Sequence, residues 1–325
     1  MSEAAPMDTL RIGVTLGDPR GVGPEIVAAA ARSFRPVAAH ELVFIGPVGT
    51  AADGAGQKHV VVGEWPADGA DVATAGRLAG EAIDAGIRLA LAGELDALVT
   101  APIDKYALHA GGFDFPGHTE MLAARCDVAE VVMMMATERT ALGGPLRVVL
   151  ATTHVPLSAV PQALDETRLV TQTRITAAAL REGWGISRPR IGLCAFNPHA
   201  SDGGLFGDEE ARIYAPAIRR LRREGHDVSE PIPADTIFLR AVRGEFDAVI
   251  APYHDVGMAA FKTVSFGQGV NVTLGLPFPR TSPDHGTALD IAGRGEADPS
   301  SMHEALMLAV RLGALRRTRS TTAAT

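Results

Sequence analysis

The chain has 325 residues, 46% hydrophobic and 21% charged, a globular composition with enough apolar material for one large domain or two ordinary ones. Its formal net charge of −8 argues against a nucleic-acid partner, which would demand a basic surface, but leaves room for a small anion wherever positive groups gather locally. The two cysteines, Cys126 and Cys194, lie in no CxxC, so no disulfide framework is expected and a reducing, cytoplasmic location fits.

The opening MSEAAPMDTLRIG has no basic start followed by an apolar stretch, so no secretory signal is read there. No run approaches the roughly 18 apolar residues of a membrane helix, and no membrane partner is expected. In chain order, apolar runs at 11–16, 41–45, 97–100, 131–135, 147–151, 190–195, 248–251 and 271–274 predict strands. Helical spacing fills the intervals: Leu78, Ala82, Ile87 and Leu91 recur within 74–92, and stretches at 165–182 and 209–224 each end near a glycine, Gly183 and Gly225. This alternation predicts an α/β fold whose mostly parallel sheet is covered on both faces, with ligands collecting at the carboxyl ends of strands. The basic run RRLRRE at 219–224 reads as a solvated helix face, and the final RRTRSTTAAT as a frayed tail. No repeat, low-complexity linker or domain break is evident.

Four segments carry chemistry. GDPRGVGPE at 17–25 joins the first strand to a helix beginning near Pro24; its glycines either let backbone approach a ligand or merely make a tight connection. No GxGxxG occurs, so a nicotinamide cofactor would bind without the Rossmann fingerprint. Three histidines, His154, His199 and His254, each follow an apolar run, which places all three imidazoles at strand carboxyl edges. Imidazole is the commonest transition-metal ligand, and three ligands with an open position suit catalysis; a lone strand-end histidine more often makes an ordinary hydrogen bond. His118 and Thr119 of GHTE precede a helix-like stretch and either present donors to an anion or, for Thr119, cap the helix. Finally, the stretch from Lys262 to His285 gathers Lys262, Asn271, Arg280, Asp284 and His285 around one predicted strand, and in this acidic chain Lys262 and Arg280 are the anion anchors or else surface ion-pair partners.

Together these segments resemble the 4-hydroxythreonine-4-phosphate dehydrogenase family of vitamin B6 synthesis, end to end: GDPRGVGPE, TAPIDK, GHTE, ATTHVPL, NPHASDGG, PADT, YHD and GVNVTLGLPFPRTSPDHGTALDIAGRG. The resemblance implies two α/β/α domains related to isocitrate and isopropylmalate dehydrogenases. Residues 1–115 with 270–325 would form the cofactor side, and 116–269 the metal and dimer-interface side. It implies a homodimer with its active site at the interface, NAD or NADP as cofactor, and a divalent metal (zinc, magnesium or cobalt). The family's metal histidines fall on His154, His199 and His254. Its substrate contacts fall on His118, Thr119, Lys262, Asn271 and Arg280, with Asn271, Asp284 and His285 on the cofactor side. Lys262 and Asp235 of PADT are candidate catalytic residues. The implied substrate is a small phosphorylated hydroxy-amino acid oxidised at C3 and then decarboxylated. Arg20, Asp104 and Val256 depart from the usual pattern and leave room for a paralogue acting on 4-phospho-threonate, 4-phospho-erythronate or a dihydrodiol dicarboxylate. Outside the family, three histidines would also suit a metal hydrolase, and a binding protein without catalysis is a third reading.

Overall fold

The computed structural model describes residues 9–36, 38–55 and 58–323. The chain divides into two compact units, one built from residues up to Val131 together with Leu276 onward, the other from Val132–Gly275. In chain order the first unit begins with β1 (Leu10–Thr15), α1 (Gly23–Ser33), β2 (His40–Val48), β3 (Lys58–Glu64), α2 (Val72–Leu91), β4 (Ala97–Thr100), α3 (Lys105–Ala110) and α4 (His118–Arg125). The second comprises β5 (Val132–Thr137), β6 (Leu146–Leu150), α5 (Val160–Ala163), α6 (Glu166–Trp184), β7 (Arg190–Cys194), α7 (Ala215–Arg223), β8 (Asp227–Ile232), α8 (Ala234–Val242), β9 (Ala248–Ala251), α9 (His254–Ser265) and β10 (Val270–Leu274). The chain then returns to the first unit with β11 (Arg280–Pro283) and α10 (Ser300–Ala323).

Both unit boundaries fall later than the resemblance implies. Met121 and Leu122 of α4 are buried in the same core as Val43, Ile83 and Leu98, which ties α4 to the first unit. β10 pairs with β5 and so belongs to the second. His118 and Thr119 thereby share a unit with Arg280, and Asn271 shares one with the three histidines.

In the first unit the strands run in the order β3-β2-β1-β4-β11, every pairing parallel. The loops after β1, β2, β3 and β4 therefore leave from one edge. α2 packs against β1, β2 and β4, with α3 against it, while α10 packs against β1, β4, β11 and α1. α2 starts where Asp71 accepts the Thr74 amide at 2.7 Å, an N-cap that holds the Asp71 carboxyl below its usual pKa. In the second unit the order is β10-β5-β6-β9-β7-β8; β5 runs antiparallel to β10 and β6, whereas β6, β9, β7 and β8 are parallel. Val148, Leu150, Ile237, Val249 and Phe261 form its core. Among the described residues no helix is long and apolar enough to cross a membrane.

Several local expectations change. Residues 316–323 are not frayed: with no Gly or Pro to break it, α10 runs on to Ala323, and Arg317 grips Asp96 at 2.5 and 2.9 Å. Gly183 lies inside α6, whose left-handed cap is Gly185 at φ 71°. The stretch 209–224 is helical to Arg223 as expected, though not α throughout: a π turn at Glu210–Tyr214 runs directly into α7, where Pro216 cannot donate an amide. The basic run on α7 is solvated as expected, with Arg220 and Arg222 paired to Glu224 and Glu230. Strands β3, β8 and β11 carry no apolar run of the kind that predicts a strand, or only a half-exposed one.

Gly76 of α2 gives the packing a sharp test. Helix propensity alone makes Gly→Ala stabilising by about 1 kcal/mol. A Cβ at Gly76, however, would fall on the backbone carbonyl of Ala107 in α3. Gly76→Ala is therefore expected to destabilise by about 1–3 kcal/mol or more, read as a lowered urea midpoint.

Candidate functional site

In the second unit the sheet order places β9 between β6 and β7, all parallel. His154 follows β6, His254 opens α9 directly beyond β9, and His199 follows β7, so all three leave the carboxyl edge of three adjacent strands. The rings of His154 and His254 are 5.9 Å apart, centroid to centroid. Metal–nitrogen bonds of about 2.0–2.1 Å would let one ion lie between two rings at this spacing. His254 Nδ1 lies 2.7 Å from Asp255 Oδ1, the carboxylate partner that commonly fixes a ligating imidazole and leaves Nε2 to the metal. This pair fits a divalent ion. His199 is not gathered with it: its ring lies tilted against Phe206, centroids 6.2 Å apart, and among the described residues no three His, Cys, Asp or Glu side chains converge as a ready-made metal site.

In the same unit, Asn271 stands on β10 with its Oδ1 buried and, among the described residues, without a hydrogen-bond donor. Such an oxygen suits a ligand hydroxyl or ammonium. Lys262 lies in the last turn of α9 and Asp235 in the first turn of α8, both exposed.

In the first unit, Arg280 opens β11, is 3% exposed, and donates from Nη2 to Thr100 Oγ1 at 2.6 Å. Burial pulls its pKa down to about 10, so it stays charged at neutral pH. His118 opens α4. The residue is half-buried, but its Nε2 is sealed from solvent and has no hydrogen-bond partner among the described residues. Burial first, and then the charge of Arg280, hold His118 well below the usual histidine pKa, hence neutral at pH 7. Thr119 does not cap the helix; the N-cap is Gly117, with no side-chain bond. A buried cation, a neutral imidazole and the free amides of a helix start together suit an anion. Asp284 and His285 lie apart in partnership: Asp284 exchanges bonds with Ser301 of α10, and His285 contacts the Gly286 carbonyl.

The glycines of GDPRGVGPE are required by packing. Gly17 has φ 74° and abuts the Pro102 carbonyl, and Gly23 abuts that of Leu16, which favours the tight-connection reading. The segment nevertheless borders a cavity of about 300 Å³ lined by Arg20, Glu25, Thr50 and Trp65. Two departures from the family pattern meet here. Arg20 Nη2 bridges Asp18 at 2.7 Å and Asp104 at 2.9 Å, and Asp104 also accepts the Tyr106 amide to cap α3. Thr100, Asp255 and the Arg20–Asp104 pair were not identified as site partners from sequence. Thr100 and Asp255 stand inside recognised motifs, but nothing in their spacing reveals what they hold.

The sequence profile of the family described as pyridoxal phosphate biosynthetic protein PdxA matches residues 27–309. A 4-hydroxythreonine-4-phosphate dehydrogenase of Paracoccus denitrificans is 44% identical, over 97% of this chain and 100% of its own length. A Bradyrhizobium diazoefficiens protein provisionally named D-threonate 4-phosphate dehydrogenase is 41% identical, over 95% of this chain and 98% of its own. The crystal structure of 4-hydroxythreonine-4-phosphate dehydrogenase from Klebsiella pneumoniae superposes with a TM-score of 0.81 at 37% identity, covering 94% of this chain and 100% of that one. A β-decarboxylating dehydrogenase from Thermococcus kodakarensis, at 17% identity and a TM-score of 0.53 over 96% of this chain and 89% of that one, shares the fold.

The His118 environment fixes a pH dependence. Its folded pKa lies below the unfolded value of about 6.5, so on acidification the unfolded chain takes up a proton that the folded chain refuses. Stability should therefore fall as pH drops below about 6.5. Urea midpoints at pH 7 and pH 5 should differ less in His118→Gln than in the parent, and an equal difference would place the imidazole in water.

Proposed function

The chain belongs to the PdxA family of pyridoxal phosphate biosynthetic proteins and is a dehydrogenase, and from that premise we propose that it oxidises 4-(phosphooxy)-L-threonine at C3 with NAD or NADP. The carboxylate then leaves as carbon dioxide and 3-amino-2-oxopropyl phosphate is released. The observation that carries this reading is the buried Arg280 beside a neutral His118 at the start of α4, a ready receptor for a phosphate.

The substrate phosphate is taken by the Arg280 fork, His118 Nε2, the Thr119 hydroxyl and the first amides of α4. Asn271 Oδ1 accepts from the substrate ammonium or a cofactor hydroxyl. Asp284 and His285 serve the cofactor side. His154, His199 and His254 hold a divalent ion, zinc, magnesium or cobalt, which when bound supplies Lewis acidity at the substrate alcohol and stabilises negative charge developing beside the departing carboxylate. Asp255 fixes the His254 ring through Nδ1. The alcohol proton passes to the Asp235 carboxylate, to Lys262 Nζ as the free amine, or to a water; both side chains are exposed and within the unit that carries the histidines. The nicotinamide accepts the hydride from C3.

The Bradyrhizobium relative supports a second substrate, D-threonate 4-phosphate, which keeps the phosphate and the secondary alcohol. Incubating the protein with each phosphorylated acid and either cofactor tests both readings. Near-ultraviolet absorbance of reduced nicotinamide should rise with 4-(phosphooxy)-L-threonine, stop on chelation and resume with zinc, magnesium or cobalt. Product without reduced nicotinamide would mark a hydrolase, and full activity in protein shown by elemental analysis to be metal-free would end the metal role.

His199 stands apart from the His154–His254 pair, which supports a site completed across a homodimer. Mixing inactive His199→Ala with inactive His254→Ala should restore partial activity, because one site of each heterodimer then has all three histidines. No recovery after verified subunit exchange would place the whole site in one chain.

A further inference from the structure

His199 occupies an unusual backbone. It opens four consecutive residues in the left-handed region, His199, Ala200, Ser201 and Asp202, at φ 52°, 55°, 69° and 42°. Residues with a Cβ enter this region singly and seldom, because Cβ crowds the following carbonyl. A run of four needs an anchor outside itself.

Glu210 is that anchor. It comes from the π turn before α7 and is itself buried, at 8% exposure. Its Oε1 accepts the backbone amides of Phe196 at 2.9 Å and Asn197 at 2.8 Å, on the approach to His199. Its Oε2 accepts Asn197 Nδ2 at 2.9 Å and the buried Ser201 hydroxyl, beyond His199. One carboxylate thus clamps the chain on both sides of the imidazole. Burial works against its ionisation, yet the bonds from Asn197 and Ser201 outweigh it and hold the carboxyl below its usual pKa. The neighbourhood is closed by Glu209, which takes the Asn197 amide group at 2.7 Å, and by Gly207, where a Cβ would sit 2.7 Å from that same group.

We infer that Glu210 is a positioning residue for His199, holding the left-handed turn that presents the imidazole to the divalent ion. This rests on the reading of His199 as a metal ligand. Glu210 touches neither substrate nor metal; it acts through the geometry of residues 196–201. Loss of an outer partner of this kind commonly lowers metal affinity about 10- to 100-fold.

The test titrates metal-free, full-length protein with Co²⁺ by calorimetry, comparing the parent with Glu210→Ala, Glu210→Gln, His199→Ala and the Glu210→Ala/His199→Ala double variant. Amide hydrogen exchange over 196–204 is followed in parallel. Glu210→Ala should speed exchange there and weaken Co²⁺ binding about 10-fold or more. Glu210→Gln is isosteric, keeps one oxygen for the two backbone amides and surrenders the edge that faces Ser201, so it should give a smaller loss and serves if the alanine variant does not fold. The double variant should bind no more weakly than His199→Ala alone. Loosened exchange in both Glu210 variants with parental Co²⁺ affinity, while His199→Ala loses affinity, would overturn the positioning role alone. So would a double variant much weaker than His199→Ala. Parental Co²⁺ affinity in His199→Ala would instead overturn the ligand reading beneath, and the inference with it.

Discussion

Parallel pairing is the constraint from which the candidate site follows. β9 is four residues long, buried throughout, and flanked by β6 and β7 running the same way. Because all three point alike, the segments that leave them emerge on one edge, and three histidines far apart in sequence are delivered there. An antiparallel β6 or β7 would send its histidine to the opposite edge. The first unit obeys the same rule, since β1 to β4 are all parallel and GDPRGVGPE, the Thr50 loop, Trp65 and the TAPIDK loop all follow strand carboxyl ends. β5, the antiparallel member, contributes no named site residue; it joins β10, which carries Asn271, to β6.

The strands that were legible in sequence are those buried along their length. AVIA at 248–251 and ALVT at 97–100 appear as strands over the residues their apolar runs mark. β11, RTSP, is fully buried with Pro283 its one apolar residue, because Arg280 and Thr281 find partners in Thr100 and the Ala305 carbonyl. β8 carries a proline and three polar residues out of six, and β3 is nowhere fully buried. Edge positions at the two ends of the strand orders account for both, since an outer strand needs less apolar surface. Helix ends failed for a different reason: Gly183 and Gly185 both suit a stop, and the packing of Trp184 decides between them.

For the site, residue types were legible and their partnerships were not. Histidine at strand ends, a buried arginine and a helix start signal chemistry through composition and spacing alone. What tunes them is set by tertiary contact over long separations. Thr100 lies 180 positions from Arg280, and the Arg280 charge reaches His118 only once β11 is laid beside β4. Glu210 sits among acidic residues in DEE, where nothing marks which carboxylate turns inward.

Arg20 and Asp104 read singly as unrelated departures from the family pattern, yet they form one ion pair, with Asp18 as the arginine's second partner. Their effects on fitness are therefore expected to be epistatic. Restoring the family residue at 20 alone strands two carboxylates, one of them fully buried, while restoring it at 104 alone removes both a charge partner and the cap of α3. Either single step is uphill, and the two together cost less than the sum of the single steps, because only Asp18 is then left without its cation. Consensus engineering of this chain from its relatives should therefore weigh the two positions jointly, with Asp18 as the carboxylate that either route leaves exposed to the loss of Arg20.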